Sequence, residues 1–580
     1  MIGASTLPEV ELGGARPFRV YLPVLLSGDL VQSAEHLGPA YLAAVLRNAG
    51  AEVRIRTLPG IHPAHWHEDI LKFAPDLVGL SLTMVANADA QAFGAMLRQS
   101  LPNTPIVGGG PLATHLGEAL LRTPGWDFFD GLVRGEGEAP ILMLADALKH
   151  GHELSTVGSL VYRSDDRVIA NPVTLGVGNL DLLPPPARDQ FLESGNALPY
   201  LRISTSRGCT SHCTFCNAPH VRNRVGSATK PWRGASPGKI VDEIEDLVRR
   251  YGVNTFDFVD STFEDPGGGK IGKARIAAIA EGLLDRGISI YYNACMQAAN
   301  WNEGDRDLLN LLWRSGLEKV LVGIESGSDL GLARWQKKST VADNVRIIRL
   351  LREANVYVAF GFIAFHPWIT LEEYESNILF LRDSFGHNLR RFTTRLELYP
   401  GSEVIGQLQQ DGLLDQSYTE NLNIYGYRWV DERLERIANT LNGLYGTEYA
   451  ETGKIDREPA VFRFETFDIT THNFSSRLAR ALQDHRTGSA ILREFDVETE
   501  EIRKELADFN FALISDIIES TRAGHLDTAA VHARAPEIET VFSQAMARIE
   551  RLKLIAGMNL RRAGIDTRNI LFKTSVAEVA

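Results

Sequence analysis

Three of the four cysteines in this chain lie in one stretch, Ser204–His220, reading STSRGCTSHCTFCNAPH. Cys209, Cys213 and Cys216 are separated by three and then two residues. Thiolates are soft ligands that select zinc, copper(I) or iron–sulfur clusters. Three of them on one tight loop can hold three corners of a cubane [4Fe–4S] cluster and leave the fourth iron open to a ligand that is not protein. The alternative is a structural zinc site completed by His212 or His220. Closed zinc sites usually split their ligands into two separated pairs. Here no second pair exists, because Cys295 stands alone. The spacing favours the cluster, with zinc still open at this point.

Such a loop needs rigid elements at both ends. From Tyr200 onward, short apolar runs alternate with amphipathic stretches. Strands are expected at Leu201–Thr205, Thr255–Asp260, Ser289–Met296, Lys319–Ile324, Tyr357–Phe365 and Arg391–Leu398. The intervening helices are expected at Pro237–Tyr251, Lys273–Arg286, Asp305–Ser315, Ala342–Ala354 and Leu371–Ser384. Six strand–helix units make a partial (β/α)6 TIM-like barrel, where chemistry sits at the carboxyl ends of the strands. The cysteine loop follows the first strand at such an end. Alternation along the third strand puts Asn293, Cys295 and Gln297 on the lumen face. Cys295 is a candidate hydrogen-atom donor or nucleophile, against the ordinary reading of a small filler. Arg395, Glu397 and Tyr399 share one face of the sixth strand. They are candidates for substrate contacts, against a buried Arg395–Glu397 ion pair.

The chain before the loop reads as a doubly wound, Rossmann-like α/β domain over residues 18–178, after a mobile tail at 1–17. Strands at Arg19–Leu26, Val53–Leu58, Asp76–Met84 and Pro105–Val107 alternate with helices, the pattern of a covered parallel sheet. A small strand pair follows at Gly158–Ala170. Ligands of such sheets bind at the carboxyl ends of the strands. Ser81, Thr83, Gly108, Gly109, Gly110, Gly135 and Glu136 fall there, and the glycines allow close approach of a bulky ligand. The segment NLDLLPPPARDQF, within 179–199, is a stiff proline-rich linker. The barrel occupies 200–414. A mainly helical C-terminal domain occupies 415–580, with amphipathic helices at Trp429–Tyr445, Phe474–His485, Glu500–Ala523 and Glu537–Arg562. Val461–Ile469 reads as a strand or loop, and the whole region is expected over the barrel mouth.

The runs LGPAYLAAVLRNAGAEVRI, DLVGLSLTM, PIVGGGP and GLVRGEGE, in that order, resemble the cobalamin-binding domain that precedes many radical S-adenosylmethionine (SAM) cores. The cysteine spacing, with Phe215 between the last two cysteines, resembles the radical SAM motif. FVDSTF (258–263), GIESGS (323–328) and LELYPGS (396–402) resemble its barrel-mouth segments. The resemblance implies a [4Fe–4S] cluster on Cys209, Cys213 and Cys216, with SAM chelated by the open iron. It places Phe215, Asp260, Ser261, Glu325 and Ser326 beside SAM, and the glycine-rich strand ends beside cobalamin. The usual Asp-x-His-x-x-Gly loop is absent, because His36, His62, His65, His67 and His115 lack that context. Cobalamin is therefore expected with its tail displaced and no histidine in its place.

The implied activity is methyl transfer to an unactivated carbon of a small molecule in specialised metabolism. Cyclisation, ring rearrangement or another redox outcome is the alternative, and a non-catalytic iron–sulfur electron carrier is the rival from another class. A net charge of −13 argues against a nucleic-acid partner. No apolar run reaches the roughly 18 residues of a membrane span. No secretory signal is read at the N-terminus. The four cysteines do not form a disulfide framework. A cytoplasmic enzyme is expected, supplied with electrons by an external one-electron reductant such as flavodoxin or ferredoxin.

Overall fold

The computed structural model describes residues 6–26, 35–59, 64–82, 87–173, 176–193, 200–218, 231–265, 270–444 and 459–567. Thr83, His62 and His220 lie outside the described residues. The chain packs as two units. One comprises residues 1–212, 216–266 and 399–403, and the other comprises 213–215, 267–398 and 404–580.

The first unit is built on a seven-stranded sheet in the order β2-β1-β3-β4-β5-β6-β7. Its strands are β1 Arg19–Leu26, β2 Glu52–Pro59, β3 Leu77–Ser81, β4 Ile106–Gly109, β5 Gly131–Val133, β6 Leu160–Ser164 and β7 Arg167–Ala170. The first five are parallel, and the strand pair β6 and β7, within the expected Gly158–Ala170, runs antiparallel. Helices Leu37–Asn48, Asn87–Ser100 and the short pair Pro111–Leu116 and Glu118–Arg122 lie on parallel crossovers, and Glu138–His150 follows β5. A helix at Ala64–Phe73 was not foreseen. The expectation of a mobile tail needs correction for residues 6–17. Leu12 is fully buried and donates its amide to the Ala49 carbonyl, and Lys149 bonds the Glu11 and Gly13 carbonyls.

Further strands of this unit are β8 Leu201–Ile203, β9 Ser206–Gly208, β10 Trp232–Gly234 and β11 Thr255–Phe258. β8 and β11 pair in parallel, while β9 and β10 are antiparallel. One buried cation ties them to the sheet domain. Arg188, from the proline-rich segment, bonds Glu35 at 2.5 Å, Glu243 of helix Pro237–Tyr251 at 2.8 Å, and the Arg202 carbonyl of β8 at 3.0 Å.

The second unit contains β12 Tyr291–Met296, β13 Leu317–Glu325 and β14 Tyr357–Phe362, which pair in parallel. Alternate residues of each strand are buried against covering helices, as Val320, Val322 and Ile324 show. The expected sixth strand is a correction. A 3-10 turn occupies Leu389–Phe392, and only a single parallel bridge, Phe365 to Arg395, remains of the ladder. The segment divides its hydrogen bonds. The Leu396 amide reaches the Phe365 carbonyl, but the Leu398 amide turns to the Ile424 carbonyl.

The C-terminal region also departs from expectation. Val461–Ile469 is neither strand nor loop but part of one helix, Ala460–Ala481, which packs with helices Arg486–Arg522 and Ala535–Arg562. Helix Ala460–Ala481 meets these strands at their amino-terminal ends and not at the mouth. Arg477 pairs with Glu318, and Arg480 bonds the Leu317 carbonyl, at the start of β13. Tyr357, the first residue of β14, donates to Asp468 at 3.0 Å. The helix Ala460–Ala481 thus closes the amino-terminal ends of β13 and β14. No helix among the described residues is long and apolar enough to cross a membrane.

Burial holds the Glu35 and Glu243 carboxyls above the ordinary range, with Arg188 opposing that rise in both. Replacing Arg188 with Leu should cost about 3–5 kcal/mol, because two buried carboxylates lose their shared cation. Both folded pKa values then rise further above their unfolded values. The stability linked to them is present below the unfolded pKa and is lost as pH climbs through the folded one. Urea unfolding should show the R188L deficit widening between about pH 5 and pH 8; a deficit that narrowed over this range would contradict the assignment.

Candidate active site

The polar centre of the first unit is Arg207, on β9. It lies over the Tyr41 ring at 4.9 Å and bonds Glu138 at 2.7 Å and Glu136 at 3.2 Å. Arg233, across the ladder on β10, bonds Glu136 as well and donates to the Val177 carbonyl. Burial alone would push the Glu138 carboxyl up, but Arg207 beside it holds it below the usual range. Gly208 then turns the chain at φ +94°, where any Cβ would stand 2.1 Å from the Pro231 carbonyl oxygen. Only glycine fits there. Cys209 follows at once, and its Sγ accepts the Ser211 amide at 3.4 Å.

A cavity of about 320 Å³ opens beside this arginine. Gly108, Gly109 and Gly110 form one wall at the end of β4, Ser81 ends β3, and Gly135 with Glu136 follows β5. Leu37, Leu42 and Ile141 make the apolar surface, and Ser204, Arg207 and Val259 complete the rim. Val259 leaves two-fifths of its surface exposed there. A Cβ on Gly109 would meet nothing within 4 Å, whereas one on Gly108 would press on Leu132 and Phe129. The chain therefore keeps a smooth, side-chain-free wall against open space. That wall suits a broad, flat ligand edged with amides, as a corrinoid is. No histidine lines the cavity among the described residues. His115, buried nearby, packs against Gly401 instead.

Asp260 is buried at the end of β11 and accepts the Thr205 hydroxyl and, at 2.7 Å, the Ser206 amide. It thereby fixes the turn between β8 and β9, ahead of the cysteines. Ser261 is exposed.

In the second unit, the middle of the cysteine loop is pinned at both ends of Thr214. Its amide and hydroxyl bond the Trp335 and Arg334 carbonyls at 3.1 and 3.3 Å, and its carbonyl accepts the Val404 amide at 2.9 Å. Cys213 is buried. Phe215 meets the Trp335 ring edge-on at 5.9 Å, and Trp335 meets His366 in the same way at 5.0 Å. Burial lowers the His366 pKa. Neither Trp335 nor His366 was singled out from the sequence, because nothing local marks them as supports of a loop more than a hundred positions away.

Glu325 ends β13 at φ +63°, the left-handed region that a side chain enters only under constraint. Its carboxylate lies over the sheet face at Gly323 and Gly361, where an added Cβ would come within 2.8 and 3.0 Å of it. Burial raises its pKa, and Lys337, 3.7 Å away, opposes the rise. Ser326 is committed to its own turn: its hydroxyl bonds Asn377 at 3.1 Å and accepts the Ser328 amide. Cys295 is partly buried on the same face of β12 as Asn293, as alternation required. Arg395 and Glu397 have separate partners, Asn439 at 2.6 Å and Tyr425 at 3.1 Å. Tyr399, which belongs to the first unit, is partly buried, and its carbonyl accepts the Ser402 hydroxyl.

Residues 203–381 match the radical SAM superfamily, and residues 25–158 match the B12 binding domain. An uncharacterized methyltransferase of Pyrococcus horikoshii is 28% identical over 375 residues, 63% of this chain and 77% of that protein. An anaerobic magnesium-protoporphyrin IX monomethyl ester cyclase of Synechocystis is 29% identical over 301 residues, 51% of this chain and 55% of the cyclase. The chain thus spans little more than half of the cyclase's length. Among solved structures, a cobalamin-dependent S-adenosylmethionine radical enzyme, OxsB, with aqua-cobalamin bound matches with a TM-score of 0.65 at 17% identity. That alignment covers 93% of this chain and 84% of that one. The likeness at this identity is one of fold.

The two neighbouring glycines of the cavity wall give a paired test. Gly109→Leu should fold and melt as the parent does but fill the cavity, and a clash of even about 1.4 kcal/mol lowers cobalamin affinity about tenfold. Gly108→Ala should instead lower stability by about 1–3 kcal/mol through overpacking. Thermal melts and cobalt per chain after hydroxocobalamin loading separate the two, and a G109L protein that loads cobalt like the parent would contradict the site.

Proposed function

Because the chain joins a B12-binding domain to a radical SAM domain, we propose that it is a cobalamin-dependent radical SAM methyltransferase. It acts on an unactivated carbon of a small molecule. The observation that carries this reading is Arg207, which lines the glycine-walled cavity and stands two positions before the first cluster cysteine. The residues proposed for the two cofactors would thus follow each other closely, Arg207 on β9 and Cys209 just after it.

Cys209, Cys213 and Cys216 would hold the cluster, and the Ser211 amide on Cys209 would stabilise the thiolate, the kind of contact that tunes a cluster's potential. When bound, the cluster supplies one electron for reductive cleavage of SAM, and cobalamin carries the methyl group. The chain's own part is to bind, orient and exclude water. Phe215 would face the ligand from a position fixed by Trp335. The Glu325 carboxylate, held over a glycine face, would accept hydrogen bonds from the ribose hydroxyls or ammonium of SAM. Asp260 and Ser326 would act as positioning residues through the turns they hold, and Ser261 would reach SAM directly. The corrinoid would lie on Ser81, Gly108, Gly109, Gly110, Gly135 and Glu136, with Thr83 beside them in sequence. Cys295 would be the hydrogen-atom donor or nucleophile, and Arg395, Glu397 and Tyr399 the residues that contact the substrate. Electrons would come from flavodoxin or ferredoxin in the cytoplasm.

The cyclase relative supports a second reading in which the same parts close a ring without methyl transfer. Reduced, reconstituted protein given methyl-labelled SAM should cleave it to 5′-deoxyadenosine and pass the label to a second small molecule. A product without the added methyl mass favours cyclisation, and no SAM cleavage at all overturns both readings. Cys213→Ala should abolish the visible thiolate-to-iron absorbance while Cys295→Ala keeps it; iron retained in the first variant would refute the ligand assignment.

A further inference from the structure

One face of the β12–β13–β14 sheet carries Glu325 at its carboxyl end, and the same face continues downward in three rows. Gly323 and Gly361 form the row under Glu325. Cys295, Leu321 and Ala359 form the next row, with Leu321 unusually exposed at 43% for the middle of a central strand. Asn293, Lys319 and Tyr357 form the lowest row, in register with one another.

The lowest row is electrostatically incomplete. Tyr357 donates to Asp468 below it. Three neighbouring arginines have carboxylate partners: Arg477 pairs with Glu318, Arg503 with Asp468 at 2.8 Å, and Arg391 with Glu465, while Arg480 bonds the Leu317 carbonyl. Lys319 is partly buried, yet neither its ammonium nor the Asn293 amide makes a hydrogen bond or ion pair among the described residues. A partly buried ammonium with no partner of its own among the described residues is open to an anion. Its match is an anion brought by the ligand. Above it, Leu321 and Ala359 offer apolar surface with no polar group of their own, up to the glycine row that the Glu325 carboxylate covers.

Resting on the reading that this barrel face receives the substrate, we propose that Lys319 and Asn293 bind an acidic group of the substrate, a carboxylate or a phosphate ester. An apolar segment of the same molecule then lies along Leu321 and Ala359. Lys319 and Gly323 are four residues apart, about 13 Å along a parallel strand. The acidic group is thus held at the closed end of the strands, and the apolar segment leads toward Glu325 at the open end. Lys319 would be a specificity residue, reading charge at a distance from the reacting carbon.

Calorimetric titration of the full-length protein, loaded with cluster, cobalamin and SAM, tests this with hexanoate, hexyl phosphate and 1-hexanol. At least one anion should bind about tenfold more tightly than the alcohol, the worth of a charged hydrogen-bonded contact. Which anion binds tells carboxylate from phosphate. Acetate, lacking the apolar segment, should bind more weakly than hexanoate if the carboxylate is the group taken. Lys319→Met should erase the preference for the anion and Lys319→Arg should keep it. Equal binding of alcohol and anions by the parent, a comparison that needs no variant, would overturn the proposal, as would an undiminished preference in K319M. Full iron and cobalt contents with equal binding would refute the anion site alone. Selective anion binding by protein that takes up no cobalt would uphold the site and refute the methyl-transfer reading.

Discussion

Arg207 is the cation on which the arrangement depends. It draws Glu136 of the loop after β5 and Glu138, the first residue of the following helix, onto the strand that leads into the cysteines, and the buried Glu138 has no other cation within 4 Å among the described residues. A salt bridge of this kind is weak evidence for stability, because burying both charges costs as much as their attraction returns. It is better understood as fixing register. With Glu136 and Glu138 held, the end of β5 and its glycines cannot drift from β9, and Gly208 leaves only one path for the chain into Cys209. The position of the first thiolate relative to the cavity is set by charge pairing and by the absence of a side chain, not by hydrophobic packing.

The same strategy recurs at Arg188, which joins the proline-rich segment to Glu35 and Glu243. In both places an arginine with a planar fork pairs with two acids distant from it in the chain, a geometry that lysine could not reproduce. The second unit uses different means. Its part of the cysteine loop is held by backbone bonds to Thr214 and by the edge-on contacts of Phe215, Trp335 and His366, while Glu325 sits in a strained conformation stabilised by its surroundings. Strain that persists at a strand end is characteristic of functional positions.

Much of this was legible in the sequence, where the signal is local. The thiolate spacing, the glycines at strand ends and the period-two pattern of Asn293 and Cys295 are properties of a few consecutive residues. What was missed depends on partners distant in the chain. Arg207 and Arg233 reach carboxylates 71 and 97 positions away. The segment Arg391–Leu398 alternates like a strand, with Leu396 and Leu398 buried, but one amide finds Ile424 in place of a ladder. Val461–Ile469 alternates too, yet Val461, Phe464, Asp468 and Thr471 are buried at helical spacing. Their burial is decided by the strand ends that the helix closes. Lys319 reads in the sequence like any charged residue; its lack of a partner shows only in the fold, where Glu318, Asp468 and Glu465 pair with arginines instead.

The claim beneath the whole account is that one chain carries an iron–sulfur cluster and a corrinoid together. Anaerobic reconstitution with iron, sulfide and hydroxocobalamin, followed by elemental analysis of the desalted protein, addresses it directly. The account predicts the iron complement of one [4Fe–4S] cluster together with one cobalt per chain. Zinc held in place of iron, or iron without cobalt, would contradict it.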